Sequence, residues 1–131
     1  MGVRFPFAAT SAIVNNTVLT STETVVLSTP QFSPPLDNAA VLIMVMWSMV
    51  TPGTVTNYNY NLRRGNLVTS PLVNVGNQVI VEPLSSRFLR MLMFVDTPGA
   101  LGPVQYSLSI VGNGATGNTL LDYGTIVAMA L

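Results

Sequence analysis

Ten side chains carry all the formal charge of this 131-residue chain, and none of the usual catalytic nucleophile–base pairs can be built from them. The cations are Arg4, Arg63, Arg64, Arg87 and Arg90; lysine is absent. The anions are Glu23, Asp37, Glu82, Asp96 and Asp122. The chain has neither histidine nor cysteine. That removes the commonest general base, the thiolate nucleophile and nearly all zinc and copper sites. Without lysine, Schiff-base chemistry is gone as well. Two carboxylates can still run acid–base hydrolysis of a glycoside, but these five fall in five separate connections or strand ends with no spacing motif. Asp37, Asp96 and Asp122 read as turn and strand-end residues, which suits a short side chain that bonds its own backbone. A calcium site would draw on Asp37, Asn38 and Asp96, and carboxylates are too few to favour it. No phosphate-cradling glycine motif appears: the loop over residues 112–117 leads into a strand, not a helix. The reading is therefore non-enzymatic, with no metal, no cofactor and no catalytic residue.

The elements that would position any site are strands. No segment keeps the i, i+3, i+4, i+7 apolar period of a helix. Short β-rich runs alternate with Pro, Gly, Asn and Asp, which marks a sandwich or barrel. Eight strands, A to H, are expected near residues 23–28, 40–50, 55–63, 67–70, 78–82, 88–95, 105–111 and 120–131. Residues 1–22 read as an N-terminal arm with one short strand near 12–19, and residues 23–131 as a single domain. The third strand alternates most clearly, with Tyr58, Tyr60 and Leu62 on one face and Asn57, Asn59 and Asn61 on the other. Thr51-Pro52-Gly53 and Thr97-Pro98-Gly99 each put Pro before Gly, as a type II turn prefers, and are expected to lie side by side at one end.

Charge and hydropathy bear on partners. Charged residues are 8% of the chain and hydrophobic residues 49%, against about 25% charged in an average domain. Too little charge remains to cover the surface, so part of it is expected to be covered by protein. There is no basic stripe or arm for nucleic acid, and Arg63-Arg64 reads as a strand end meeting solvent. The longest apolar run, residues 39–50, is too short for a membrane helix, which needs about 20. Only the third strand alternates as a membrane barrel requires. The N-terminus lacks a signal-peptide core, and Pro6 stands where a myristoylation signal has Ser or Thr.

The second, sixth and eighth expected strands are apolar on both faces. A sandwich needs one apolar face per sheet, so the other face implies a further cover. In the sixth strand, burying Arg90 alone would be costly. Phe88, Leu92 and Phe94 are therefore expected to face outward with it, leaving Leu89, Met91 and Met93 in the core. With Tyr123, Val127 and Met129 of the last strand, Phe88, Leu92 and Phe94 form the expected subunit interface.

The eight-strand pattern and the closing run Tyr123-Gly124-Thr125-Ile126-Val127-Ala128-Met129-Ala130-Leu131 resemble the tumour necrosis factor/C1q-like jelly rolls. In that family a sheet of strands A, H, C and F packs around a threefold axis. The segments Glu23-Thr24-Val25-Val26-Leu27, Leu62-Arg63-Arg64-Gly65 and Asp96-Thr97-Pro98-Gly99-Ala100 also resemble bacteriophage virion proteins, among them decoration, spike and fibre-head proteins. The resemblance implies an all-β, eight-stranded antiparallel jelly-roll sandwich. It implies a homotrimer on the virion surface that decorates, cements or projects from a capsid, with itself and capsid proteins as partners. The alternative is a carbohydrate- or receptor-binding jelly-roll module. An exposed aromatic platform would favour it, but Trp47, Tyr58, Tyr60, Tyr106 and Tyr123 mostly fall mid-strand.

Overall fold

A computed structural model describes residues 7–12, 17–34, 39–51, 56–73, 78–82, 86–99, 102–113 and 120–131. Their regular structure is β, in nine strands: β1 (Phe7–Ala12), β2 (Thr17–Val18), β3 (Thr24–Ser28), β4 (Val41–Thr51), β5 (Thr56–Arg64), β6 (Gln78–Glu82), β7 (Ser86–Asp96), β8 (Tyr106–Asn113) and β9 (Leu120–Ala130). One sheet runs β1-β9-β4-β7, with β2 also on β9; the other runs β3-β8-β5-β6. Every pairing is antiparallel. This is the expected all-β sandwich, and its strand order is that of a jelly roll.

The eight long strands differ from the eight expected at two places. Residues 67–70 form a turn, not a strand. Gly65 takes φ 129°, the Leu67 amide donates to Ser70 Oγ at 3.1 Å, and the Ser70 amide donates to the Leu67 carbonyl at 3.0 Å. A side chain at Gly65 would collide with the Ser70 side chain, so local turn chemistry overrides the β propensity of Leu67 and Val68. In its place β1 and β2, from the stretch expected as an arm, pair with β9, β1 from Phe7 opposite Met129 to Ala12 opposite Gly124 and β2 with Thr17 opposite Leu121 and Val18 opposite Leu120. They lie beside β9 in the plane of the sheet. The first three expected strands thus move one place along in the jelly-roll order, while the last four keep theirs. That shift corrects the two Thr-Pro-Gly turns: Thr51 pairs with Ser86 and Val41 with Asp96, so β4 and β7 end at opposite ends of the sheet. Gly99 has the positive φ, 78°, that its turn requires; residues 52–55 lie outside the described residues.

The core follows the strand parity. Val41, Ile43, Val45, Trp47 and Met49 of β4 are fully buried, against Tyr58, Leu62, Tyr106 and Leu108 of the second sheet. The two sheets are also tied by polar groups. Trp47 Nε1 donates to the Tyr58 hydroxyl across the core at 3.1 Å, and the Trp47 ring meets Tyr60 tilted at 5.5 Å between centroids. These contacts satisfy the one polar atom of the buried indole. Gly124 of β9 faces the core where Leu27 of β3 fills the space its side chain would need; an added Cβ would lie 2.7 Å from Leu27 Cδ1.

Candidate functional site: the outer face of the first sheet

The parity that buries one face of β4 sets the other face outward, and antiparallel register carries that choice to its neighbours. Four rows cross β7, β4 and β9 on the outside: Val95–Leu42–Met129, Met93–Met44–Val127, Met91–Met46–Thr125 and Leu89–Ser48–Tyr123. Nine of these twelve positions are aliphatic, and none is charged. On edge strand β7, Leu89 (61%), Met91 (69%), Met93 (66%) and Val95 (60%) are the most exposed. Leu42, Met44, Met46, Val127 and Met129 are half-buried. A shallow apolar depression of about 190 Å³ lies among Met44, Met46, Met91 and Val127.

The β7 faces are the reverse of those expected. Leu92 and Phe94 pack against the core, while Leu89, Met91 and Met93 face outward. Leu92 pairs with Val45 and Phe94 with Ile43, both inward residues of β4, so register decides the matter. Arg90, opposite Trp47, is only half-buried because β7 is the sheet edge, where a long side chain can reach solvent past its neighbours. The cost of burying its charge is thus avoided without turning Leu92 and Phe94 outward. The Phe88 side chain lies outside the described residues. Tyr123, Val127 and Met129 do lie on the outer face. Leu121, two residues before Tyr123, is buried: a bulge between Ser48 and Met49 sets Tyr123 and Leu121 opposite consecutive residues of β4 and changes the parity.

The second sheet has the opposite character. Its outer face carries Asn57, Asn59, Asn61, Arg63, Ser107 and Ser109 in register. Arg63 Nη2 donates to both oxygens of Glu23 at 2.9 Å, its Nη1 to the Ser70 carbonyl at 2.8 Å, and Asn61 Nδ2 also donates to Glu23. Burial pushes the Glu23 carboxyl up, but the bonds from Arg63 and Asn61 outweigh it and hold it below the usual range. The second sheet's outer face is therefore polar and charged, although Asn61, Ser107 and Ser109 are themselves buried in it, whereas the four rows of the first sheet carry no charge.

Arg63-Arg64 does not end in solvent as expected. Arg64 turns to the opposite side of β5 and clamps Asp96 of β7, Nε to Oδ2 at 2.8 Å and Nη2 to Oδ1 at 2.6 Å. The buried Tyr106 hydroxyl donates to the same Oδ2 at 2.8 Å. Asp96 therefore joins the two sheets at the end of the sandwich, and both its oxygens are engaged by protein, which leaves no open side for a cation. Burial pulls the Asp96 carboxyl up, and the bonds from Arg64 and Tyr106 pull it further down, below the usual carboxylate range. Burial and the neighbouring Asp96 carboxylate raise the Tyr106 phenol above its ordinary range. Asp37 lies outside the described residues. Among the described residues no three His, Cys, Asp or Glu side chains group as a metal site, and no helix is long and apolar enough to cross a membrane. Of the five aromatics with polar handles, Trp47, Tyr58, Tyr60 and Tyr106 are in the core and Tyr123 is on the outer face.

No family model matches the sequence, and no curated protein does. Solved structures do match. A chain of the T13 particle of infectious bursal disease virus superimposes with TM-score 0.65 at 12% identity, over 95% of this chain and 31% of its own. A chain from the Gx strain of that virus gives 0.61 at 11% identity, over 94% of this chain and 33% of its own. One from T=1 particles derived from the virus gives 0.56 at 12% identity, over 95% and 31%. The chain thus spans about a third of the length of the viral chains it matches, and what it shares with them is the fold.

Proposed function

We propose that the chain is a non-enzymatic structural protein of a virion, and that it forms a homotrimer which decorates, cements or projects from the capsid surface. One observation carries the reading: in the four described rows of one outer sheet face nine of twelve positions are aliphatic and none is charged, while the described outer face of the other sheet carries Asn57, Asn59, Asn61 and Arg63. Leu89, Met91, Met93 and Val95 stand 60–69% exposed side by side on the first of these faces, a contiguous apolar patch of the kind that marks a contact surface. Three copies are supported by strand order. The apolar sheet holds the first, eighth, third and sixth of the long strands, the set that packs about the threefold axis in the tumour necrosis factor/C1q-like jelly rolls. The expected interface residues Tyr123, Val127 and Met129 remain in it; Leu89, Met91, Met93 and Val95 replace Leu92 and Phe94. Fold likeness to chains of viral particles supports the virion setting. Arg63 and Arg64 are both engaged by carboxylates, which supports a place away from the genome.

The test compares the purified chain with Met93→Asp by sedimentation equilibrium. The expected result is a trimer for the parent and a protomer for the variant, with unchanged far-ultraviolet circular dichroism. A variant that trimerises as the parent does would contradict this choice of face.

A further inference from the structure

Five of the seven methionines in the chain lie on the apolar outer face, and four of them meet as cross-strand pairs, Met44 opposite Met93 and Met46 opposite Met91. Directly opposed side chains on one face stand about 5 Å apart at Cβ, so the four thioethers form one patch. Met91 and Met93 are 69% and 66% exposed, whereas Met49, on the inward face, is fully buried. Packing alone asks only for a flexible apolar side chain. The thioether adds a reactivity that leucine lacks. It is oxidised to a sulfoxide, which turns a flexible apolar group into a polar one.

We propose that Met91 and Met93 are oxidation sites that control self-assembly, and this rests on the copy-to-copy role of the face proposed above. The oxidant class is a peroxide. The Sδ lone pair attacks the distal peroxide oxygen, the O–O bond breaks and an S–O bond forms. Sulfur loses two electrons, and hydrogen peroxide leaves as water after proton transfer. The reaction runs on the free protomer, in which the thioethers are open to solvent. The new S–O oxygen is a strong acceptor. The row Met93–Met44–Val127 contains no side-chain donor, and the row Met91–Met46–Thr125 only the Thr125 hydroxyl, so closing a second copy over the Met93 sulfoxide would bury that acceptor without a partner in its own row. Two sulfoxides per protomer, repeated around a symmetric interface, would hold the copies apart.

The experiment treats the purified full chain with graded hydrogen peroxide, locates sulfoxides by peptide mass spectrometry and reads assembly by sedimentation. Met91 and Met93 are expected to oxidise first and Met49 last. The apparent dissociation constant is expected to rise at least tenfold in step with sulfoxide at Met91 and Met93. The isosteric double variant Met91→Leu/Met93→Leu is expected to assemble and to stay assembled at a peroxide dose that separates the parent. Oxidised protein that carries both sulfoxides and assembles like the reduced form would overturn this inference alone. So would a double variant that separates at the same dose. Reduced protein that stays a protomer at every concentration would overturn the assembly reading together with this one.

Discussion

Asp96 ties the end of β7 to the second sheet through its carboxylate. It is 8% exposed and takes three hydrogen bonds from Arg64 and Tyr106 of the opposite sheet. Asp96→Asn removes the charge that the guanidinium faces and is expected to cost about 3 kcal/mol in chemical denaturation. Tyr106→Phe, which leaves both Arg64 bonds in place, is expected to cost about 1 kcal/mol. The pH dependence follows from the direction of the shift. The folded carboxyl titrates below its unfolded value, so its contribution is complete above the unfolded pKa and is lost as pH falls through the folded one. Stability of the parent should therefore drop through the acid range below about pH 4, and Asp96→Asn should flatten that drop. Gly124 gives a second residue-scale test. Gly124→Ala drives a methyl into Leu27 and is expected to cost about 1–3 kcal/mol. In that background Leu27→Ala should cost less than it does alone, because the two changes share one space. Additive costs would show that the contact is not tight.

At the scale of elements, most strands could be read from alternation and from their Pro and Gly boundaries; β6, for example, spans the residues expected of it. The inward face of β5 was equally legible, because three asparagines alternate with Tyr58, Tyr60 and Leu62. What alternation cannot supply is the choice between two apolar faces. In β7 both are apolar, and the charge in mid-strand, Arg90, pointed the wrong way because an edge strand lets a long side chain escape at the rim. The bulge opposite Ser48 and Met49 was hidden too, since it depends on how two strands pair and not on either one alone. Leu92→Ala should cost about 2–3 kcal/mol, as a truncation against the core. Met93→Ala should change protomer stability by less than about 0.5 kcal/mol. Equal costs would mean that the two faces of β7 have been assigned in reverse.

At the scale of the molecule, the scarcity of charge is unevenly distributed. The described carboxylate–guanidinium pairs, Glu23–Arg63 and Asp96–Arg64, lie on the outside of the second sheet and at the end of the sandwich. The outer face of the first sheet has no charged residue in its four rows. Composition alone raised the expectation of a neighbour, but where an apolar face lies could not be read from it, because that required knowing which strands share a sheet. On the proposed reading, a second copy covers the uncharged outer face of the first sheet. The most direct measurement is the mass of the purified native protein by light scattering after size exclusion under reducing conditions. A mass of three protomers, stable on dilution to micromolar concentration, is the result this account predicts. A monodisperse protomer that stays soluble at high concentration would contradict it.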